Sequence, residues 1–342
     1  MPELASGPRR GRIWALSESH GKFLLPSIRR PQLRAAIGLA ALCAVIGCTD
    51  SASRRQRPPG SEQLRVVTTT GLIGDLAARI GGPHVQVISL MGPGVDPHLY
   101  KASEGDVERM TSADLILFNG LHLEGAMADL FLRMAERKPT VAVTDGIDRS
   151  LLLAPSEFKG NFDPHVWFDV TLWIRAAAHV ADALGERDPE HRGDYRANYE
   201  QYAAQLSELH REVQRRVDAL PPERRVLITA HDAFNYFGRA YGFEVRGLQG
   251  ISTAAEAGTA DVQDLAEFIA GRRIPAIFVE TSVPARSIEA VQAAVRARGF
   301  NVKIGGHLYS DAMGDPDGPE GSYIGMVTFN VETLVSALAD GA

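Results

Sequence analysis

The stretch 193–220, GDYRANYEQYAAQLSELHREVQRRVDAL, constrains this chain more than any other. Tyr195, Tyr199, Tyr202, Leu206, Leu209, Val213, Val217 and Leu220 recur at steps of three and four, with Arg, Glu and Gln between them. That period puts one apolar stripe along a helix. Gly193-Asp194 offers a cap, and Pro221-Pro222 ends the helix sharply. At about 1.5 Å per residue the helix is roughly 40 Å long. A helix of that length either packs along one domain or is a rigid spar joining two lobes.

Strand and helix patterns lie on both sides of it, and 342 residues suit two domains. Before the spar, strands at 64–69, 85–91, 114–119 and 140–143 alternate with helices at 72–80, 102–111 and 127–135, and a helix at 176–184 leads in. After it, strands at 226–230, 243–248, 276–280 and 302–304 alternate with helices at 234–241, 259–271 and 287–298, and a helix at 328–338 closes the chain. Thr259 or Ala260, before Asp261, offers the cap of the 259–271 helix. The alternation predicts an α/β fold with parallel sheets flanked by helices.

Ligands of such sheets sit at the carboxyl ends of the strands. His98 lies in the turn-rich loop GPGVDPH, and Asp163-Pro164-His165 repeats the grammar of Asp96-Pro97-His98. An Asp-Pro pair forces the chain extended and then into a turn. His231 directly follows a strand, and Asp311 follows the last one through the loop 305–311. All four are expected at the same edge of the fold.

The start of the chain is of another kind. Arg29, Arg30 and Arg34 precede an apolar run over 35–46, too short to span a bilayer but suited to a signal segment. It ends Val45-Ile46-Gly47-Cys48, which looks like a bacterial lipobox. The expected organisation is a signal peptide over 1–47, a lipid anchor at Cys48 and a flexible tether over 48–63. A first α/β lobe over 64–192, the linking helix over 193–220 and a second lobe over 221–342 follow. The chain has two cysteines, Cys43 and Cys48, so the mature part would hold no disulfide and no thiolate ligand. Residues 1–47 carry seven Lys/Arg and two Asp/Glu, which takes the remainder to net −11 against −6 for the whole. So acidic an exported chain is a poor nucleic-acid binder and mildly favours cationic ligands.

With these motifs the sequence resembles the zinc/manganese solute-binding lipoproteins of bacterial ABC importers, the cluster 9 metal-binding proteins. The likeness covers residues 64–340. It is carried by Asp96-Pro97-His98, by Asp163-Pro164-His165-Val166-Trp167, by Thr229-Ala230-His231-Asp232-Ala233-Phe234 and by Leu308-Tyr309-Ser310-Asp311-Ala312-Met313. Gly120-Leu121-His122-Leu123-Glu124 and Gly247-Leu248-Gln249-Gly250-Ile251-Ser252 are also typical. The resemblance implies two lobes joined by one long helix with a metal between them. It gives the ligand role to His98 and His165 from the first lobe and to His231 and Asp311 from the second. It implies Zn2+ or Mn2+ as the transported ligand, and an ABC permease with its cytoplasmic ATPase as partners. The protein would be a monomer held outside the cytoplasmic membrane by its lipid, on the periplasmic side or the cell surface.

Three imidazoles and a carboxylate suit zinc and tolerate manganese. Four protein ligands also close the site, whereas a catalytic zinc usually keeps three and an open position. Some members of the family have glutamate where this chain has His231, and these are associated with manganese, so His231 points to zinc. Many dedicated zinc members carry a long His-rich loop where the segment 151–162 is short and has no histidine, which points away from it. Candidates to orient a ligand are His122, Glu124 and Glu256, and His307 is the candidate for a further ligand. His84, His179, His191 and His210 read as surface residues.

The rival from another class is an exported zinc-dependent hydrolase using the same ligands. The chain lacks H-E-x-x-H and G-x-S-x-G, and it lacks the G-x-x-x-x-G-K-[ST] needed to handle ATP itself. For the carrier, a helical spar predicts small lobe movements on release, each lobe with its own core. Histidine ligands predict binding that weakens as pH falls through about 6.

Overall fold

The structure is a computed structural model that describes residues 63–339 except 157 and 159. The segment 1–47, the anchor Cys48 and all of the tether but residue 63 lie outside the described residues. Among the described residues no helix is long and apolar enough to cross a membrane.

The first half is built on β1 (Leu64–Thr68), β2 (Val85–Ser89), β3 (Leu115–Phe118) and β4 (Thr140–Ala142), all parallel, in the order β2-β1-β3-β4. The connections are α1 (Gly71–Gly81), α2 (Glu104–Ser112) and α3 (Ala128–Ala135). A reciprocal cap starts α2: Asp106 N donates to Ser103 Oγ at 3.3 Å, and Ser103 N donates to Asp106 Oδ2 at 2.9 Å. Helix α4 (Val170–Arg187) begins six residues earlier than its apolar pattern at 176–184. The reason is Asp169, whose carboxylate accepts from Thr171 N at 3.0 Å and caps the helix.

The spar is α5 (Arg192–Asp218). Gly193-Asp194 falls inside its first turn and does not cap it. His191 is the first flanking residue, no side chain caps the end, and a tight turn at Pro189–His191 feeds the helix. Tyr195, Tyr202, Leu206, Leu209, Val213 and Val217 are its buried face.

The second half contains β5 (Val226–His231), α6 (Asn235–Tyr241), β6 (Glu244–Gln249), α7 (Thr259–Arg272), β7 (Ala276–Glu280), α8 (Arg286–Ala297), β8 (Lys303–Leu308) and α9 (Tyr323–Ala339). Asp261 caps α7, but by accepting from Gly258 N at 2.7 Å, not beside a Thr or Ala cap. The strands form two parallel pairs, β5-β6 and β7-β8. β5 runs beside β7, so the spatial order β6-β5-β7-β8 repeats that of the first half, although no ladder joins β5 to β7 among the described residues. Gly305 and Gly306, expected in a loop, belong to β8. They mark a register shift opposite Ile277 and Phe278, and a Cβ on Gly305 would lie 2.7 Å from Ala337 and Phe278.

The halves do not keep wholly separate cores. One cluster runs from Leu64 and Trp173 through Leu206 and Val213 to Tyr323 and Leu338. Two smaller clusters are local, around Ile116 and Phe131 in the first half and around Ile228 and Ile277 in the second. Helix α5 packs on α1 and α4 from one side of the chain and on α6 and α9 from the other. Asp75 of α1 ties the three together, accepting from Tyr202 Oη at 3.0 Å and from Tyr323 N at 3.3 Å. Leu206→Ala should therefore cost about 2–5 kcal/mol. It should lower the midpoint of one shared denaturant transition, reported alike by tryptophan fluorescence and far-UV circular dichroism. Two separated transitions would contradict a continuous core.

Candidate metal centre

Each of the four predicted residues stands at or beyond the carboxyl end of a strand. His98 lies in the loop between β2 and α2, and His165 in the segment before α4. His231 is the last residue of β5, and Asp311 comes three residues after β8. Gly247 lets β6 come close beneath His231, since a Cβ there would lie 2.4 Å from Asp232 N. All four side chains are buried, and their donor atoms lie within 4.8 Å of one another.

The separations have the scale of a coordination sphere. His98 Nε2 is 3.3 Å from His165 Nε2 and 3.8 Å from Asp311 Oδ2. His165 Nε2 is 3.5 Å from Asp311 Oδ1, and His231 Nε2 is 3.2 Å from Asp311 Oδ2. Tetrahedral donors at zinc bond lengths stand about 3.4 Å apart. Both oxygens of Asp311 are buried with no aligned hydrogen-bond donor among the described residues. A buried carboxylate unmatched by donors is costly, and a cation among its neighbours would satisfy it. With one oxygen towards His165 and the other towards His98 and His231, Asp311 can bind through one oxygen or both.

The two Asp-Pro-His turns are built alike. Asp96 Oδ1 accepts from His98 N at 2.8 Å, and Asp163 Oδ1 accepts from His165 N at 2.9 Å. Asp163 Oδ1 also stands 2.8 Å from His165 Nδ1, which directs Nε2 at the centre. On the far side Glu280 stands against His231, gripping its backbone and facing its ring without an aligned hydrogen bond to it among the described residues. It accepts from His231 N at 2.8 Å, and its second oxygen is 2.6 Å from Nδ1. Asp311 is held by its neighbours: Trp167 Nε1 donates to Ser310 O at 2.9 Å, and Asn330 clamps Tyr309 by its N–H and C=O at 2.9 and 2.7 Å.

The electrostatics divides the histidines. Burial pushes His98 down to about 3. Burial also disfavours a charge on His231, but the Glu280 and Asp311 carboxylates outweigh it and hold that imidazole well above its usual range. Burial alone would raise Asp311, yet the facing imidazoles, His231 first, hold it below the usual carboxylate range.

The other candidates are placed elsewhere. Glu124 is buried but accepts from Thr69 Oγ1 at 2.6 Å and Asn119 N at 2.7 Å. It reaches the centre only through Asn119, whose Nδ2 donates to Pro164 O at 3.1 Å beside His165. His122, at φ +66°, is exposed on the rim of a separate cavity of about 520 Å3 lined by Phe118 and Phe131. Glu256 is exposed and faces Arg286 at 3.8 Å. His307 packs its ring on Phe329 and Tyr309. Sequence reasoning missed Glu280 and the carboxylate role of Asp163. The available signal was an acid ending a buried strand, AIFVE, at the edge that carries His231.

Residues 66–337 match the family described as ZnuA, zinc-uptake complex component A, periplasmic. The chain is 52% identical over 274 residues to the zinc-binding protein TroA of Treponema pallidum (strain Nichols), covering 80% of this chain and 88% of that protein. It is 46% identical over 310 residues to the manganese-binding lipoprotein MntA of Bacillus subtilis (strain 168), covering 90% and 99%. The solved periplasmic zinc-binding protein TroA from Treponema pallidum superposes with a TM-score of 0.79 at 51% identity, over 81% of this chain and 99% of that one. The Fe(III)-bound YtgA of Chlamydia trachomatis superposes at 0.73 with 26% identity, over 81% and 98%.

A cation must meet neutral imidazoles and an ionised carboxylate. Because the Glu280 and Asp311 carboxylates favour the charged form of cation-free His231, a cation bound there should displace a proton from it. Apparent affinity should rise with pH until His231 is neutral by itself, and fall as pH is lowered. The loss should begin above the pH near 6 expected of ordinary histidines. Zinc titration calorimetry in buffers of different ionisation enthalpy should show proton release at pH 7; a heat independent of buffer would refute it.

Proposed function

The chain belongs to the family of zinc-uptake complex component A, and on that premise we propose how it works as the solute-binding component of an ABC importer. It captures a divalent transition metal outside the cytoplasmic membrane and hands it to the permease, whose cytoplasmic ATPase supplies the energy. It is a carrier, not an enzyme. His98, His165, His231 and Asp311 hold the cation, zinc ahead of manganese. Cys48 carries the lipid that tethers a monomeric protein to the membrane.

The observation that carries the reading is Asp311: a buried carboxylate with two oxygens lacking aligned donors among the described residues, ringed by three imidazoles at 3.2–3.8 Å. Four protein donors leave no position for a nucleophilic water, which favours carriage over hydrolysis. Three nitrogens to one carboxylate favour zinc, and the second oxygen of Asp311 leaves room for the higher coordination number that suits manganese. The relatives' names support both metals: TroA is named for zinc and MntA for manganese.

Metal-stripped protein should take up one zinc ion per chain and resist exchange for manganese at equal concentration. His98→Ala and Asp311→Ala should weaken binding by more than the roughly 10–100-fold typical of losing an outer partner, with the fold intact by circular dichroism. No stoichiometric binding, or a zinc-dependent hydrolysis abolished by His165→Ala, would sink the carrier.

A further inference from the structure

The four donors are not restrained alike. His165 has Asp163 on its ring at 2.8 Å, and His231 has Glu280 at 2.6 Å. No carboxylate backs the ring of His98 among the described residues; its restraint is the bond from its own N–H to Asp96.

The ties across the halves are as uneven. The His165 segment is bound to the second half several times over. Asn235 Nδ2 donates to Asp163 Oδ2 at 3.2 Å, Tyr236 Oη to Asp163 O at 2.9 Å, Trp167 Nε1 to Ser310 O at 2.9 Å and Tyr323 Oη to Trp167 O at 2.6 Å. The loop carrying His98 is joined to that half by one hydrogen bond among the described residues, from Thr253 Oγ1 to Asp96 Oδ2 at 2.6 Å. Asp96 thus uses one oxygen for His98 and the other for Thr253. Gly92, Pro93, Gly94 and Leu99 around the first partner are exposed, and so are Ala254, Ala255 and Glu256 after the second. Pro97, His98 and Thr253 themselves are buried, so what distinguishes this contact is its few ties, and segments with few ties open at lower cost than those bound into the core.

We propose that the Thr253–Asp96 hydrogen bond is a latch that keeps His98 on the bound cation and sets the rate of release. This rests on the carrier function proposed above. Release then begins with the His98 loop leaving as one piece, while His165, His231 and Asp311 stay together. It does not require the two histidines of the first half to part from the second half as a pair. Thr253 touches no cation; it is a positioning residue that acts through Asp96 and His98.

The test follows Zn2+ leaving the full chain into an excess of a fluorescent chelator, by stopped flow. Thr253→Val keeps the shape and removes the hydroxyl; Thr253→Ser keeps the hydroxyl. In the valine variant release should be about tenfold faster, the scale of one hydrogen bond to a charged group. Its association rate, its stoichiometry and the far-UV circular dichroism of the cation-free protein should be unchanged. The serine variant should release at the original rate. Unchanged release in the valine variant, equal acceleration in both variants, or acceleration with loss of the cation-free fold by circular dichroism would overturn the latch. Failure of the unaltered chain to bind zinc at all would overturn the carrier function instead.

Discussion

One buried carboxylate sets the terms for the rest of the molecule. Asp311 has left water without gaining aligned donors, which would cost several kcal/mol if nothing compensated it. Its compensation comes from three imidazoles that must arrive from three other places in the chain. His231 arrives at the end of a strand and His165 on a turn tied to both halves, because a flexible approach would lose the gain to entropy, while His98 comes on a loop with fewer ties. The strand edges at residues 231 and 308, the Asp-Pro-His turns and the Asn330 clamp therefore serve one point in space.

The frame around that point resists wide motion. Helix α5 buries its face against helices from both halves, and the largest core crosses between them. Opening the whole interface would expose that core. Small surface segments offer a cheaper way to let a cation go, and the loop carrying His98 is such a segment. Its one hydrogen bond to the second half among the described residues contrasts with the four that bind the His165 segment. The same frame explains the divided titration: burial drives His98 down against the one carboxylate, Asp311, that faces it among the described residues, while Glu280 and Asp311 together hold His231 up.

Much of this was legible in the residues. The three-four spacing of Tyr195 to Val217 marked the spar, and the alternation of elements marked parallel sheets, because periodicity reports the face an element buries. The Asp-Pro-His repeats and the residues at strand ends marked candidates, and the family resemblance made a ligand set of them. Boundaries were less legible. Helix α4 starts at Asp169 because a cap outweighs apolar period, and β8 continues through two glycines because a bulge, not a turn, accommodates them. Glu256 looked as plausible a partner as any acid near the GLQGIS motif, but the chain carries it out to solvent. Glu280 looked like the end of a strand and no more.

The sequence by itself determined the architecture, which follows from local pattern, and marked four candidate donors, through a family resemblance added to the residues that end strands and the turns an Asp-Pro pair enforces. Only the tertiary structure decided which carboxylates stand behind those donors and which donor is left without one. Glu280 lies 49 positions from His231, and Thr253 lies 157 from Asp96. No period or motif spans such separations; they are set when β5 comes to lie beside β7, and when two surface loops from opposite halves meet over one cleft.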